Sequence, residues 1–226
     1  MRSSVFAAVL LAAAPLVAQS TLIEQGQAAL DRDDPRTAVP LLEQAVSQSP
    51  QDADAHYTLG CAYGKLALRS NVFRQASLAR RTRNEFEQAV SLDPSHVLAR
   101  FALVQYYVIA PNFFGGSIEK AQLQACEIAK HNRAWGHRAS AFIDAHLKNY
   151  EAAAEELEAA VALDPDHMPT LYEFGHLAAI SGVDLSEGQR SLQKYLAHTP
   201  KPGEPSCDEA RVWLVKIQER EGTRTR

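Results

Sequence analysis

Apolar residues recur at fixed offsets ahead of four prolines, Pro50, Pro94, Pro165 and Pro200. Twelve residues before each lies a small or short side chain, Ala38, Thr82, Ala153 or Gly188. Eight before lies a bulky one, Leu42, Phe86, Leu157 or Leu192. Five before lies Ala45, Ala89, Ala160 or Tyr195, and four before lies Val46, Val90, Val161 or Leu196. Steps of four, three and one trace a single face of a helix that stops just short of the proline. A second pattern follows each of the first three prolines. Nine and ten residues on come Leu59 and Gly60, Leu103 and Val104, or Phe174 and Gly175; thirteen on come Tyr63, Tyr107 or Ala178. This reads as another amphipathic helix, with glycine at two of the three sites where a neighbouring helix must come close. Each proline therefore sits in a turn between a second helix (B) and the first helix (A) of the next unit. Ser49, Asp93, Asp164 and Thr199 precede the prolines, which suits a helix start with proline in its first turn.

The prolines are spaced by 44, 71 and 35 residues. With a unit of about 34 residues, that is one unit with an insert, two units, and one unit. The pattern resembles the tetratricopeptide repeat (TPR) family. Its signature positions are met by Gly26, Ala38, Ala45 and Pro50, and again by Leu59, Gly60, Tyr63, Phe86, Ala89 and Pro94. The resemblance implies an all-α, right-handed superhelix (α-solenoid) of four to five helix pairs. The repeats fall at about 19–52, 53–96, 97–133, 134–167 and 168–202. A capping helix at about 208–221, carrying Val212, Trp213, Val215 and Ile217, is expected to cover the last apolar face. Two inserts depart from the pattern. One is about ten residues within 68–83; the other is Ala110-Pro111-Asn112-Phe113-Phe114-Gly115-Gly116, followed by Ser117 as N-cap. Asp144 stands where the family has an apolar residue, a weak point of the fourth unit.

The N-terminus departs from the repeat altogether. Arg2, an apolar run from Val5 to Ala14, Pro15, and Ala18 ahead of Gln19 read as a secretory signal peptide at 1–18. Cleavage after Ser20 is the alternative. The run is too short to span a bilayer. Residues 19–226 are then a single repeat domain, periplasmic or secreted, with 22 basic and 27 acidic residues and a net charge of −5.

Composition narrows the chemistry. With 46% hydrophobic, 22% charged and only 8% aromatic residues, the chain is a globular helical protein and not a disordered one. A formal charge of −4 argues against nucleic acid as its main partner. No phosphate-binding glycine loop, Gly-x-Ser-x-Gly elbow or His-Glu-x-x-His is present. Gly115-Gly116-Ser117 suits a tight turn with an N-cap. The eight histidines are scattered, and His137, Asp144 and His146 form the nearest approach to a cluster. His96 and His167 recur two residues after a proline and are helix-start residues. Cys61 and Cys126 fall within helices, Cys207 apart from both, and three cysteines close no disulfide framework. No catalytic, metal or cofactor site is expected. The basic set Lys65, Arg69, Arg74, Arg80, Arg81 and Arg83 reads first as a solvated face, and second as a stripe for an acidic partner or anionic lipid.

The resemblance also implies where binding would occur, because TPR A helices line a groove. It assigns Asp54, Tyr57, Cys61 and Lys65 in the second repeat, and Leu98, Phe101, Gln105 and Val108 in the third. The fourth gives Trp135, Arg138, Phe142 and His146, and the fifth Tyr172, His176 and Ile180. Aromatic residues with an arginine are the types in which interface energy concentrates. The expected function is a non-catalytic scaffold or adaptor of the bacterial cell envelope. It would hold a peptide or protein partner against Tyr57, Lys65, Phe101, Gln105, Trp135, Phe142, Tyr172 and His176, with Arg138 orienting an acidic group. A small-ligand-binding accessory protein of periplasmic transport is the alternative.

Overall fold

The computed structural model describes residues 13–224, with side chains from 21 to 223. Residues 1–12 of the expected signal peptide lie outside that range, and residues 13–18 begin the first helix. The fold is all-α, with eleven α-helices, one short 3₁₀ turn and no strand among the described residues. The helices pair as α1 (Ala13–Asp31) with α2 (Pro35–Gln48), α3 (Ala53–Leu68) with α4 (Val72–Leu92), and α5 (Val97–Ile109) with α6 (Ile118–His131). Then follow α7 (Arg133–His146) with α8 (Tyr150–Leu163), α9 (Met168–Ser181) with α10 (Leu185–Leu196), and α11 (Cys207–Arg224). That is five helix pairs and a terminal helix. The chain divides into two compact units, up to Ala99 and from Arg100 onward.

The recurrent offsets are the buried stripes of the B helices. Ala38, Leu42 and Ala45 on α2 are buried, as are Thr82, Phe86 and Ala89 on α4, Ala153, Leu157 and Ala160 on α8, and Gly188, Leu192 and Tyr195 on α10. The prolines do lie between helices, but not in a helix's first turn. Ser49, Asp93 and Asp164 cap the ends of α2, α4 and α8, and the A helices begin three residues after the proline. Their true start residues are Asp52, His96 and His167, whose side chains accept the amides of Ala55 (3.0 Å), Ala99 (3.3 Å) and Thr170 (3.3 Å). The geometry needs three turn residues, so the proline precedes the cap. The remaining B helix, α6, carries the same stripe as Ala121, Ala125 and Ile128, with Arg133 at the proline's place. Here a single residue separates the helices. Asn132 ends α6 through its amide to the Ile128 carbonyl, and starts α7 by accepting the Trp135 amide at 3.1 Å.

In the first unit, α1 to α4 bury Leu30, Leu42, Leu59, Tyr63, Leu66 and Leu78 in one cluster. The expected insert is taken up as helix: α4 runs for 21 residues. Of the six basic residues expected here, Lys65, Arg69 and Arg81 are internal ties. Lys65 Nζ donates to the Leu30 carbonyl at 3.1 Å, and Arg69 pairs with Asp33. Arg81 donates to the Tyr63 hydroxyl at 3.2 Å, and that hydroxyl donates to Glu43 at 2.5 Å.

In the second unit, Ala141, Leu157, Phe174 and Leu177 pack at the fourth pair. Asp144 lies partly exposed near the end of α7, where its Oδ1 accepts from Asn149 Nδ2 at 3.4 Å. The loop after α5 forms a 3₁₀ turn at Asn112–Phe114, with Tyr106 Oη donating to the Phe114 carbonyl at 2.8 Å. Gly116 lies so close to the Ala110 carbonyl oxygen that a Cβ would sit 1.7 Å from it. Ser117 is the N-cap of α6. Helix α11 opens with a reciprocal cap in which the Glu209 amide donates to Ser206 Oγ and the Ser206 amide to Glu209 Oε2. Its inward face is Ala210, Trp213, Leu214 and Ile217; Val212 and Val215, expected among the covering residues, are exposed. Spacings of three and four from Ala210 select that stripe, and Val212 and Val215 fall beside it.

Gly175 shows what sets the helix spacing. A Cβ there would lie 2.1 Å from Leu192 Cγ, and both residues are buried. Gly175→Ala should lower unfolding stability by about 1–3 kcal/mol, read from chemical denaturation. An unchanged midpoint would show that α9 and α10 can separate without loss.

Candidate partner-binding face

The A helices of the second unit bring several of the expected residues together. Trp135, Arg138 and Phe142 are spaced by three and four along α7, so they share one face. The Arg138 guanidinium lies 4.3 Å from the centre of the Phe101 ring and 4.6 Å from that of Trp135. Phe101 meets Trp135 edge-on at 5.3 Å and Phe142 at 6.2 Å. Trp135 in turn meets the His167 ring at 5.0 Å. The guanidinium is also clamped by Glu173 of α9, with Nε to Oε2 at 2.8 Å and Nη2 to Oε1 at 2.7 Å. Arg138 thus has its charge matched by a bidentate carboxylate and its faces covered by rings. Its side chain is only 9% exposed.

This arrangement corrects two expectations. Arg138 does not present its charge outward, because Glu173 already occupies its donors. Phe101 is 6% exposed and serves as the backing of the cluster. Trp135, Phe142 and Gln105 remain partly exposed. A shallow crevice lined by Trp135, Arg138, Asp164, His167 and Thr170 opens beside them.

Further along, Tyr172 and His176 stack with ring centres 6.4 Å apart. Trp213 of α11 lies 4.5 Å from His176 and donates its Nε1 hydrogen to Tyr172 Oη at 2.9 Å. Both residues therefore hold the terminal helix while keeping part of their surface in water. Burial, and secondarily Lys216, lowers the His176 pKa below its ordinary 6.5, against the opposing pull of Glu173. Burial, then Arg138, lowers His167 likewise. Ile180 on the same helix is exposed.

In the first unit, Tyr57 is half-buried with its ring 6.0 Å from Phe86 and 5.1 Å from His96. Lys65 is tied to Leu30 as described. Burial pushes the Cys61 thiol up to about 11, which leaves it protonated and unreactive at neutral pH. The three cysteines are free thiols. A cleft of about 330 Å³ between α6, α7 and α8 is lined by Cys126, Arg133, His137, Ser140 and Glu156. There His137 Nδ1 lies 2.7 Å from Glu156 Oε2, away from Asp144 and His146 in its contacts. Among the described residues no three His, Cys, Asp or Glu side chains converge to hold a metal.

Glu173, His167 and Trp213 were not expected in the face. Glu173 carried a signal, since 35 residues separate it from Arg138, one repeat apart with opposite charge. Trp213 carried none, because its helix lies outside the repeat.

Comparison with known proteins agrees with this architecture. Residues 23–63 and 133–167 each match a family described as tetratricopeptide repeat. No curated protein sequence matches the chain significantly. Among solved structures, a thermophilic TPR protein of Thermus thermophilus is 21% identical with a TM-score of 0.69, over 89% of this chain and 100% of that one. PilF of Pseudomonas aeruginosa is 15% identical with a TM-score of 0.61, over 93% and 88%. PilW, a type IV pilus biogenesis factor, is 14% identical with a TM-score of 0.62, over 90% and 86%. Those two segments are thus similar to tetratricopeptide repeats, and the chain shares the α-solenoid fold of these proteins.

Two measurements test the face. Arg138→Ala should cost about 2–4 kcal/mol in denaturant unfolding, since it leaves Glu173 unpaired and two rings uncovered. A loss below about 0.5 kcal/mol, the scale of an ordinary surface change, would mean that the clamp contributes nothing. The His176 sign follows from its depressed pKa. Below 6.5 the unfolded chain binds the proton more readily than the folded one, so stability falls as pH drops through 6.5 toward the lower folded value. His176→Gln should therefore show a smaller fall in Tm than the wild type between about pH 7.5 and 5.5. Equal falls would contradict this.

Proposed function

We propose that the protein is a non-catalytic scaffold that holds a peptide or protein partner on the A-helix face of its second unit. The observation that carries this reading is the Phe101–Arg138–Trp135 cluster locked by Glu173. Its polar groups are satisfied internally, so its partly exposed rings are offered to a partner already positioned, and binding need not order them. Trp135 and Phe142 are the anchors, with Gln105 as a polar contact and Tyr172, His176 and Ile180 extending the surface along α9. Tetratricopeptide repeats as a protein-binding architecture support the same class.

The envelope is the proposed compartment, periplasmic or secreted. Its support is the order of charge, apolar run and small residue in the first eighteen positions. No helix among the described residues is long and apolar enough to cross a membrane. The likeness to PilF and PilW is one of fold, and no pilus role is assigned from it.

The test uses Trp135→Ala/Phe142→Ala beside Leu123→Ser, a change at an exposed position on the B helix α6. Affinity capture from envelope extract with wild type should recover a partner that the double variant loses and Leu123→Ser keeps, provided that both variants retain their helical circular dichroism. Equal recovery by all three would sink the proposal.

A further inference from the structure

The hairpin tip between α3 and α4 exposes apolar side chains to water. Leu68, the last residue of α3, is 80% exposed; Val72 and Phe73, the first two of α4, are 75% and 91% exposed. Three large apolar residues within six positions, with nothing covering them, differ from isolated apolar residues scattered over a surface. Their backbone does not depend on a partner for order. Asn71 caps α4 by accepting the Arg74 amide at 3.1 Å, and Ser70 Oγ donates to the Leu66 carbonyl at 2.8 Å.

Charge identifies what such a tip suits. From Ala55 to Asn84 the sequence holds no aspartate or glutamate, while Lys65, Arg69, Arg74, Arg80, Arg81 and Arg83 fall within that span. Lys65, Arg69 and Arg81 are engaged by the first helix pair and the neighbouring Tyr63. Asp33 is paired with Arg69, the residue next to Leu68. Arg74 and Arg80 are exposed and form no ion pair among the described residues; Arg80 touches only its own helix, at the Ala76 carbonyl. Phe73, Ser77 and Arg80 follow at spacings of four and three, on the face opposite the buried Leu78, Thr82 and Phe86. Seven residues put Arg80 roughly 10 Å further along the axis than Phe73. An apolar point with cations just behind it matches the depth profile of a bilayer surface, where side chains enter the interface by roughly 5–10 Å and phosphates lie above them.

We infer that the α3–α4 tip is a peripheral docking site for an anionic lipid bilayer, with Leu68, Val72 and Phe73 entering the interface and Arg74 and Arg80 meeting lipid phosphates. The site belongs to the first unit and does not depend on the partner-binding face. Each exposed cation adds attraction that salt weakens, and each apolar side chain adds attraction that salt does not.

The experiment is vesicle co-sedimentation of the full chain with phosphatidylcholine alone and with about 3:1 phosphatidylcholine to phosphatidylglycerol. Wild type should partition onto the anionic vesicles and be released by added salt. Leu68→Ser/Phe73→Ser and Arg74→Glu/Arg80→Glu should each partition about tenfold more weakly. These positions are exposed, so folding should be retained, which circular dichroism verifies. Because the N-terminal apolar run is the same in every variant, only a difference between variants counts. Phe73→Trp adds a local probe: its fluorescence should be quenched by brominated lipid beyond the level given by Trp135 and Trp213 in the wild type. Equal partitioning of wild type and both double variants overturns the inference, and so does absence of quenching at position 73. Capture of an acidic protein through this tip, with no binding to anionic vesicles, overturns it in favour of a protein partner.

Discussion

A small residue on one helix facing a large one on its neighbour is the contact on which three of the helix pairs depend. Gly26 faces Leu42, Gly60 faces the Phe86 ring, and Gly175 faces Leu192, each at a separation that leaves no room for a Cβ. In each case the glycine is on the A helix and the bulky residue is eight positions before the turn proline on its B helix. Size complementarity of this kind is what close packing of a protein interior requires. Alanine recurs on the B helices, as at Ala38, Ala45, Ala89, Ala153 and Ala160, because helices this close admit only short side chains between their bulky ones.

Much of the fold is legible in the sequence for that reason. Ala38, Leu42 and Ala45, with their counterparts on α4, α8 and α10, fall where a period of 3.6 puts them, and burial depends on that period almost alone. The third B helix is harder to find because Arg133 takes the proline's place, although Ala121, Ala125 and Ile128 keep the stripe. Helix starts are less legible than helix faces. Ser49, Asp93 and Asp164 are good capping residues by type, yet they sit at helix ends; which terminus a cap serves depends on turn length, and a proline tolerates either side.

The face proposed for a partner was legible in position and not in state. Trp135, Phe142, Tyr172 and His176 lie on A helices as the repeat implies, and keep part of their surface in water. Whether a charged side chain faces solvent or a neighbour is decided between repeats, which a reading of one repeat at a time does not reach. Arg138 and Glu173 illustrate this: each alone is an ordinary surface residue of its helix, and together they are a closed pair between two rings. The basic residues of α3 and α4 divide in the same way. Lys65, Arg69 and Arg81 are consumed by acceptors distant in sequence, whereas Arg74 and Arg80 form no ion pair among the described residues.

Asn132 has a consequence for how this chain can change in length. One residue serves as the end of α6 and the start of α7, so the junction has no slack. A single added residue there would rotate one helix by about 100° about its axis relative to the other, turning either Ala121, Ala125 and Ile128 or Trp135, Arg138 and Phe142 away from their contacts. The segments at 110–117 and 197–206 lie between helices that do not share a cap, and additions there leave every stripe in phase. Growth by insertion is thus closed at Asn132 and open where neighbouring helices have separate caps, as in those loops.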